Sequence, residues 1–248
     1  MSESDSDSES AQVLSLAFSR RRLFKGLTLI PLLAVELPGC GDSSNRTLEK
    51  IAELPGAYKP TFFNADEWAF VVAACDRLIP ADEHGPGAVE LGVPEFIDRH
   101  MQTPYASGDI WYMQGPFIEA SAQFGYQGRL SLRDILRVGL HAVDIRCRGS
   151  FDGKAFVQLD HAQQEALLKS AESGELQLEA ISSQLFFAQL LAEARNGYFA
   201  DPQHGGNKGM GSWKMIGYPG MRADYTDWVE VRDKPYPLPP VDLAGRRG

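Results

Sequence analysis

The chain has 248 residues, with 33 acidic against 24 basic side chains and a formal net charge of -9. One medium-sized domain or two small ones fit that length, and 44% hydrophobic residues with 13 Phe and 4 Trp supply enough apolar surface for a buried core, which excludes wholesale disorder. A net negative chain with no Lys/Arg cluster beyond its first 25 residues repels phosphate backbones, so nucleic acid is a poor partner.

Residues 1–10, MSESDSDSES, bury nothing and should stay solvated outside the fold. Ser19-Arg20-Arg21-Arg22-Leu23-Phe24-Lys25 then leads into an apolar run, Leu27 to Val35, broken only by Thr28 and Pro31, and on to Leu37-Pro38-Gly39-Cys40. Positive, apolar, small is the order of an export signal, and nine residues fall short of the ~20 that span a bilayer. Arg20 and Arg21, with a serine before them and two large apolar residues and a lysine after, resemble the twin-arginine signal of bacterial export, a route for folded cargo. Leu37 to Cys40 resembles a lipobox, in which the cysteine becomes the lipidated first residue of the mature chain. Residues 1–40 are therefore expected to direct the chain to the periplasm or the membrane, with signal cleavage and lipidation of Cys40 both open.

Residues 41–60 are polar and punctuated by Pro and Gly, the composition of a linker. Asn64-Ala-Asp-Glu67 has helix-start chemistry, and Trp68, Val71, Val72, Cys75, Leu78 and Ile79 recur at helical spacing up to Pro80. Ala81 to Val93 reads as a loop carrying His84, and Pro94 as the first turn of a short helix with Phe96, Ile97 and Met101. Across 104–130, Trp111, Tyr112, Phe117 and Phe124 suggest packed segments between glycines. Three further helices start at Ser131, Asp160 and Ser182, the last carrying Leu185, Phe186, Phe187, Leu190, Leu191 and Ala194 to Gly197. No run of period-two, β-branched residues persists, so the fold class is all-α, a compact helical domain over 61–232. Seven glycines between Gly197 and Gly220 read as a loop segment, and 233–248 as a proline-rich tail with a frayed Arg246-Arg-Gly end.

Glycine at that density invites a nucleotide-binding reading, which the spacing rejects. Lys208 lies between Asn207 and Gly209 rather than before Ser or Thr, and Gly209-Met-Gly211 follows no strand. Cys40, Cys75 and Cys147 are never in CxxC or CxxCH spacing, so the ligand sets of zinc ribbons, iron-sulfur clusters and c-type haem are missing, and no metal is expected. Cys75 and Cys147 could pair with each other, pair with a partner chain, or stay as small buried hydrophobes. His100 and His141 fall within helices as capped or surface imidazoles, while Asp82-Glu83 and Asp224/Asp227 read as solvated loop acids. His204 stands alone in the glycine segment, without a partnered acid or nucleophile. No catalytic residue and no cofactor-binding residue is predicted.

Gly197-Tyr-Phe-Ala-Asp-Pro202, His204-Gly-Gly-Asn-Lys208 and Trp213-Lys-Met-Ile-Gly-Tyr-Pro-Gly220 together resemble the C-terminal signature of the gluconate 2-dehydrogenase subunit 3 family. Asp76-Arg-Leu-Ile-Pro-Ala-Asp82, Gly87-Ala88 and Pro94-Glu-Phe-Ile-Asp98 fit its N-terminal part, so the resemblance spans about residues 62 to 220. His204 stands where the family more often has an aromatic residue. The resemblance implies a small accessory subunit beside a large flavin-dependent sugar or polyol dehydrogenase of the glucose-methanol-choline type, often with a multihaem cytochrome c as electron acceptor. FAD would then belong to the partner and haem c to a third subunit, while this chain supplies the twin-arginine signal and aids maturation. An independent periplasmic enzyme using His84 or His204, or a lipoprotein scaffold, is the alternative. Glycines that admit close approach beside large aromatics are interface composition. The expected partner interface is Tyr198, Phe199, Asp201, Gly205, Gly206, Asn207, Trp213, Gly217, Pro219 and Gly220, against a loop folded on its own helices.

Overall fold

The computed structural model describes residues 58–118 and 120–248. The export signal with Arg20 and Arg21, the lipidation candidate Cys40, and 41–57 of the expected linker lie outside the described residues.

Local chemistry sets most helix ends. Helix α1 (Ala65–Leu78) opens with a reciprocal cap: Asn64 Oδ1 accepts the N–H groups of Asp66 and Glu67 at 3.0 Å each, and the Glu67 carboxylate accepts the Asn64 N–H at 3.0 Å. Pro94 occupies the first turn of α2 (Val93–His100), and Thr103 caps the short α3 (Pro104–Ser107). At the head of α4 (Leu132–Ser150) the Asp134 carboxylate accepts the Ser131 hydroxyl at 2.5 Å. Asp160 and Gln163 cap α5 (His161–Ser173), which stops at Gly174 with φ 81°, a left-handed turn that a side chain would strain. Ser182 caps α6 (Ser183–Phe199), and α7 (Gly211–Ile216) lies within the glycine-rich stretch. Among the described residues there are seven α-helices and no strand, so the chain is all-α as expected.

Helix α6 is the axis of the domain, packing against α1, α2, α4, α5 and α7. Its buried residues Phe186, Leu190, Ala194 and Gly197 follow the helical repeat and form one stripe. Gly139 of α4 admits the Phe186 ring, since a Cβ at 139 would fall well inside it. Phe70 of α1 stacks on Phe156 with centroids 4.2 Å apart and meets Phe186 edge-on.

The lead-in to α1 is anchored by one buried carboxylate. Asp98 on α2 accepts the Tyr58 hydroxyl at 2.7 Å and the N–H groups of Thr61 (2.8 Å), Phe62 (3.1 Å) and Phe63 (2.9 Å). Three consecutive N–H groups with no helix partners of their own are thus satisfied by one acid.

Three expectations need correction. Helix α6 runs two residues past Gly197, because that glycine serves packing rather than termination. The aromatics of 104–130 are not packed inward: Tyr112 is 84% and Phe124 72% exposed, alongside Trp111 and Phe117. Among the described residues between α3 and α4 there is only one three-residue helical turn, Ala122–Phe124, too short to give them a buried face. The C-terminus is tied rather than frayed, since Asp242 accepts the Arg246 N–H at 2.8 Å and guanidinium at 2.7 Å, and the Gly248 N–H reaches the Pro240 carbonyl at 2.8 Å.

Cys75 and Cys147 are free thiols, both buried in the core. Burial raises the Cys75 thiol well above its ordinary value and pushes Cys147 up to about 12, chiefly by desolvating the thiolate. Because the thiolate is the nucleophile, iodoacetamide at pH 8 should leave both unmodified in the folded protein and label both once guanidinium unfolds it, as read by peptide mass mapping, which separates them from Cys40. Rapid labelling of either thiol in the native state would contradict this packing.

Candidate interaction surface

The glycine-rich segment after α6 is built into the core by backbone contact. A Cβ at Gly206 would lie well inside contact with the Gly197 carbonyl, and one at Gly197 would stand 2.8 Å from the Phe96 ring of α2. Only glycines let α2, α6 and the segment approach this closely. Lys208 then crosses to α2, its N–H donating to the Leu91 carbonyl at 3.0 Å and its Nζ 2.5 Å from the buried Glu95.

The last turn of a helix leaves carbonyls without partners, and here two side chains supply them. The Trp213 indole N–H donates to the Phe199 carbonyl at 3.0 Å, and the Asn207 amide to the Ala200 carbonyl at 3.0 Å. Asn207, fully buried in a left-handed conformation (φ 45°), also accepts the Ser212 N–H at 3.0 Å and hydroxyl at 2.7 Å. That ring of bonds places the start of α7. The Asp201 carboxylate accepts the Leu243 N–H at 2.8 Å, while Gly220 (φ 79°) and its neighbours pair with Val241, so the C-terminal tail lies along the same segment.

The ten residues of the expected interface divide accordingly. Tyr198, Asp201, Gly205, Gly206, Asn207, Trp213 and Gly220 are buried, and the Tyr198 hydroxyl donates to the Pro86 carbonyl at 2.8 Å. Pro219 is half-buried against Val241, and Phe199 and Gly217 are exposed. Most of the motif thus holds the loop against the protein's own helices. What it presents outward is a set of apolar side chains around the buried Trp213: Phe199 (43% exposed), Met215, Ile216 (55% exposed) and Tyr218, whose ring packs edge-on against Trp213 at 5.1 Å. Met215 and Ile216 were not singled out from the sequence, although they sit between Trp213 and Tyr218 in the same motif.

His84 and His204, the two histidines of the alternative reading, are both exposed. His84 and Glu83 lie 3.7 Å apart on an open loop, and His204 is exposed with its Nε2 3.4 Å from Gln203. Asp82 closes its own turn by accepting the N–H groups of His84 and Gly85. Of the capped or surface roles expected for His100, the surface one does not hold: its Nδ1 lies 2.6 Å from the buried Glu193 carboxylate of α6, between the rings of Phe96 and Tyr105. It ties α2 to α6.

The close contact at Gly206 makes a prediction. Gly206→Ala should destabilise the domain by about 1–3 kcal/mol or more, because the obstructing atom is a backbone carbonyl that cannot rotate away. Gly149→Ala, exposed near the end of α4 with nothing within 4 Å of the added methyl, should be neutral or stabilising by up to about 1 kcal/mol. Denaturant unfolding of the two variants against the parent measures both; equal effects would refute the packing account.

Residues 65–220 match the family described as gluconate 2-dehydrogenase subunit 3. No curated protein and no solved structure matches the chain. The match takes in every helix from α1 to α7 and ends on the glycine whose backbone pairs with the C-terminal tail. Over half its length, and through the whole of its helical core, the chain belongs to the gluconate 2-dehydrogenase subunit 3 family, whose name marks one subunit of a larger oxidoreductase complex.

Proposed function

We propose that the chain is a non-catalytic accessory subunit of a flavin-dependent sugar or polyol dehydrogenase of the glucose-methanol-choline type, which it stabilises and accompanies through twin-arginine export. The family match supports the place in a complex. The observation that carries the contact itself is the exposed apolar group at Phe199, Met215, Ile216 and Tyr218, mounted on backbone that Asn207, Trp213 and the Gly197–Gly206 contact hold in place. Large apolar side chains on a rigid support lose little freedom on docking and give hot-spot contacts. The flavoprotein holds FAD and the substrate pocket, and a multihaem cytochrome c takes the electrons, so substrate identity is the partner's property. Arg20 and Arg21 form the export address, and the folded pair crosses together.

Two measurements test the two halves of this reading. Phe199→Ser with Ile216→Asp changes only exposed positions, so unfolding should stay within about 0.5 kcal/mol of the parent per site. Recovery of the co-expressed flavoprotein on the tagged variant should fall at least about tenfold, the equivalent of roughly 1.4 kcal/mol. Undiminished recovery would remove this face as the contact. Separately, replacing Arg20 and Arg21 by Lys should strand both chains in the cytoplasm, measured as flavoprotein activity in fractionated cells. Normal periplasmic activity would break the co-export claim and leave the docking claim standing.

A further inference from the structure

A second apolar surface lies outside the face assigned to the flavoprotein. Between α3 and α4, Ile110, Trp111, Tyr112, Ile118 and Phe124 stand exposed beside a cavity of about 710 Å³. Its wall is aromatic: Tyr105, Trp111, Tyr112, Phe117 and Tyr126 line it, with the rings of Tyr105 and Trp111 edge-on at 5.2 Å. Exposed apolar ground of this extent marks a surface that something covers. No charged residue lines the cavity among the described residues, so a charged occupant would lose its water without gaining a partner. The polar side chains there are Gln114, Gln127, Gln189 and Ser131. Gln127 donates to the Phe124 carbonyl at 2.8 Å and Ser131 to Asp134, which leaves the Gln114 and Gln189 amides and the Trp111 indole as donors for whatever enters. A purely hydrocarbon occupant would leave them unpaired. Aromatic walls with a few N–H donors and no charge match a proline-rich chain, whose rings are apolar and whose carbonyls are free because the polyproline helix has no internal hydrogen bonds.

The chain displays such a segment. Lys234-Pro-Tyr-Pro-Leu-Pro-Pro240 lies in no helix and carries Pro237 and Pro240 at the P-x-x-P spacing. Pro235, Pro237, Leu238 and Pro239 are exposed, and no side chain from Pro235 to Pro240 is charged. The molecule holds this run from behind. The Tyr236 ring meets Tyr225 and Trp228 edge-on at 5.8 and 5.5 Å, the Arg222 guanidinium donates to the Pro239 carbonyl, and Val241 pairs with Gly220. None of the residues lining the cavity belongs to the tail, so a run fastened beside Gly220 meets such a cavity on another molecule. We infer that the groove between α3 and α4 takes residues 235–239 of a second copy of this chain, the proline rings against Trp111 and Tyr112 and the carbonyls on the Gln114 and Gln189 amides. A run already fixed in place loses little freedom on docking, which favours the contact. Groove and run are different patches, so the contact is head to tail, and a pair of copies keeps one free groove and one free run.

Photo-crosslinking between two forms of the full chain decides the matter. Unlabelled protein carrying Tyr112→p-benzoylphenylalanine is mixed with heavy-isotope-labelled protein of the parent sequence, illuminated, digested with trypsin and read by mass spectrometry. The probe should join the heavy peptide running from Asp233 to Arg246, in a yield that rises with protein concentration. Pro237→Asp with Leu238→Asp in the labelled copy, both at exposed positions, should cut that yield by about tenfold or more and leave the unfolding midpoint unchanged. The same probe at Ile145, exposed on α4, should give no such adduct. By light scattering, Trp111→Ala and the aspartate variant should each stay single, while their mixture, with one intact groove and one intact run, should form pairs and nothing larger. Absence of the heavy adduct, an adduct confined to one molecule or formed with another peptide of the chain, one retained by the aspartate variant, one equally strong from position 145, or a mixture that forms no pairs would each overturn the inference. No flavoprotein is needed, so the outcome is independent of the docking surface proposed above.

Discussion

Where the loop crosses the last turn of α6 there is room for two backbones and nothing else. Gly206 lies against the Gly197 carbonyl, and Gly197 lies against Phe96, so three layers of the molecule meet through one ring and two residues without side chains. The rest of the C-terminal half follows from that contact. It seats the loop in the slot between α2 and α6, where Asn207 reaches the Ala200 carbonyl and Trp213 the Phe199 carbonyl. Those bonds complete the hydrogen bonding of the helix end and set the start of α7, and through α7 the outward aim of Met215 and Ile216. Asp201, held at the same turn, catches the C-terminal tail at Leu243. A methyl group at 206 would oppose every later step.

This placement turns glycine density to an unusual use. A segment so rich in glycine loses much conformational freedom on ordering, and an isolated loop of that composition would not hold one shape. Here the cost is offset by burial of Tyr198, Met210 and Trp213 and by hydrogen bonds to groups that would otherwise be orphaned at a helix terminus. Packing therefore wins over composition. The same balance explains why the motif looks like an interface from its sequence and yet leaves its large apolar side chains exposed only at its rim, at Phe199, Met215, Ile216 and Tyr218.

The helices were legible in the sequence because their signals are local. Asn64 with Glu67, and Asp160 with Gln163, sit three residues apart, and the structure pairs each of them across the first turn. What sequence could not supply is direction over distance. Trp213 and Tyr112 are both large aromatics near glycines, yet one is buried because the Phe199 carbonyl lies within reach of its indole, and the other is exposed because no element among the described residues covers it. His100 and Glu193 are 93 residues apart, so nothing in either neighbourhood announces their pairing. The six-residue α7 was hidden by the glycines around it, since it is held by Asn207 and Trp213 rather than by helix propensity. The family resemblance succeeded where periodicity failed because a long, compositionally odd motif records a three-dimensional contact without revealing its geometry.

The two apolar surfaces are not independent pieces of the molecule, because α6 runs between them. Gln189 borders the cavity and Phe199 borders the α7 face, ten residues and about 15 Å apart along one helix. Between them, at position 193, the buried Glu193 carboxylate holds His100, and the His100 ring stacks on Tyr105 at the cavity wall with centroids 5.3 Å apart. The imidazole is thus fixed on one side by a carboxylate and on the other by an aromatic ring that lines the groove. Gly197, one turn further along α6, bears on Phe96, whose ring also meets His100 at 5.4 Å. The wall of the cavity and the seat of the glycine loop are therefore two faces of a single α2–α6 contact, in which Phe96 and His100 stand side by side. A rearrangement at Tyr105 large enough to break its stacking must either leave His100 on its carboxylate or draw α2 away from α6. The second course would unseat Gly197 from Phe96.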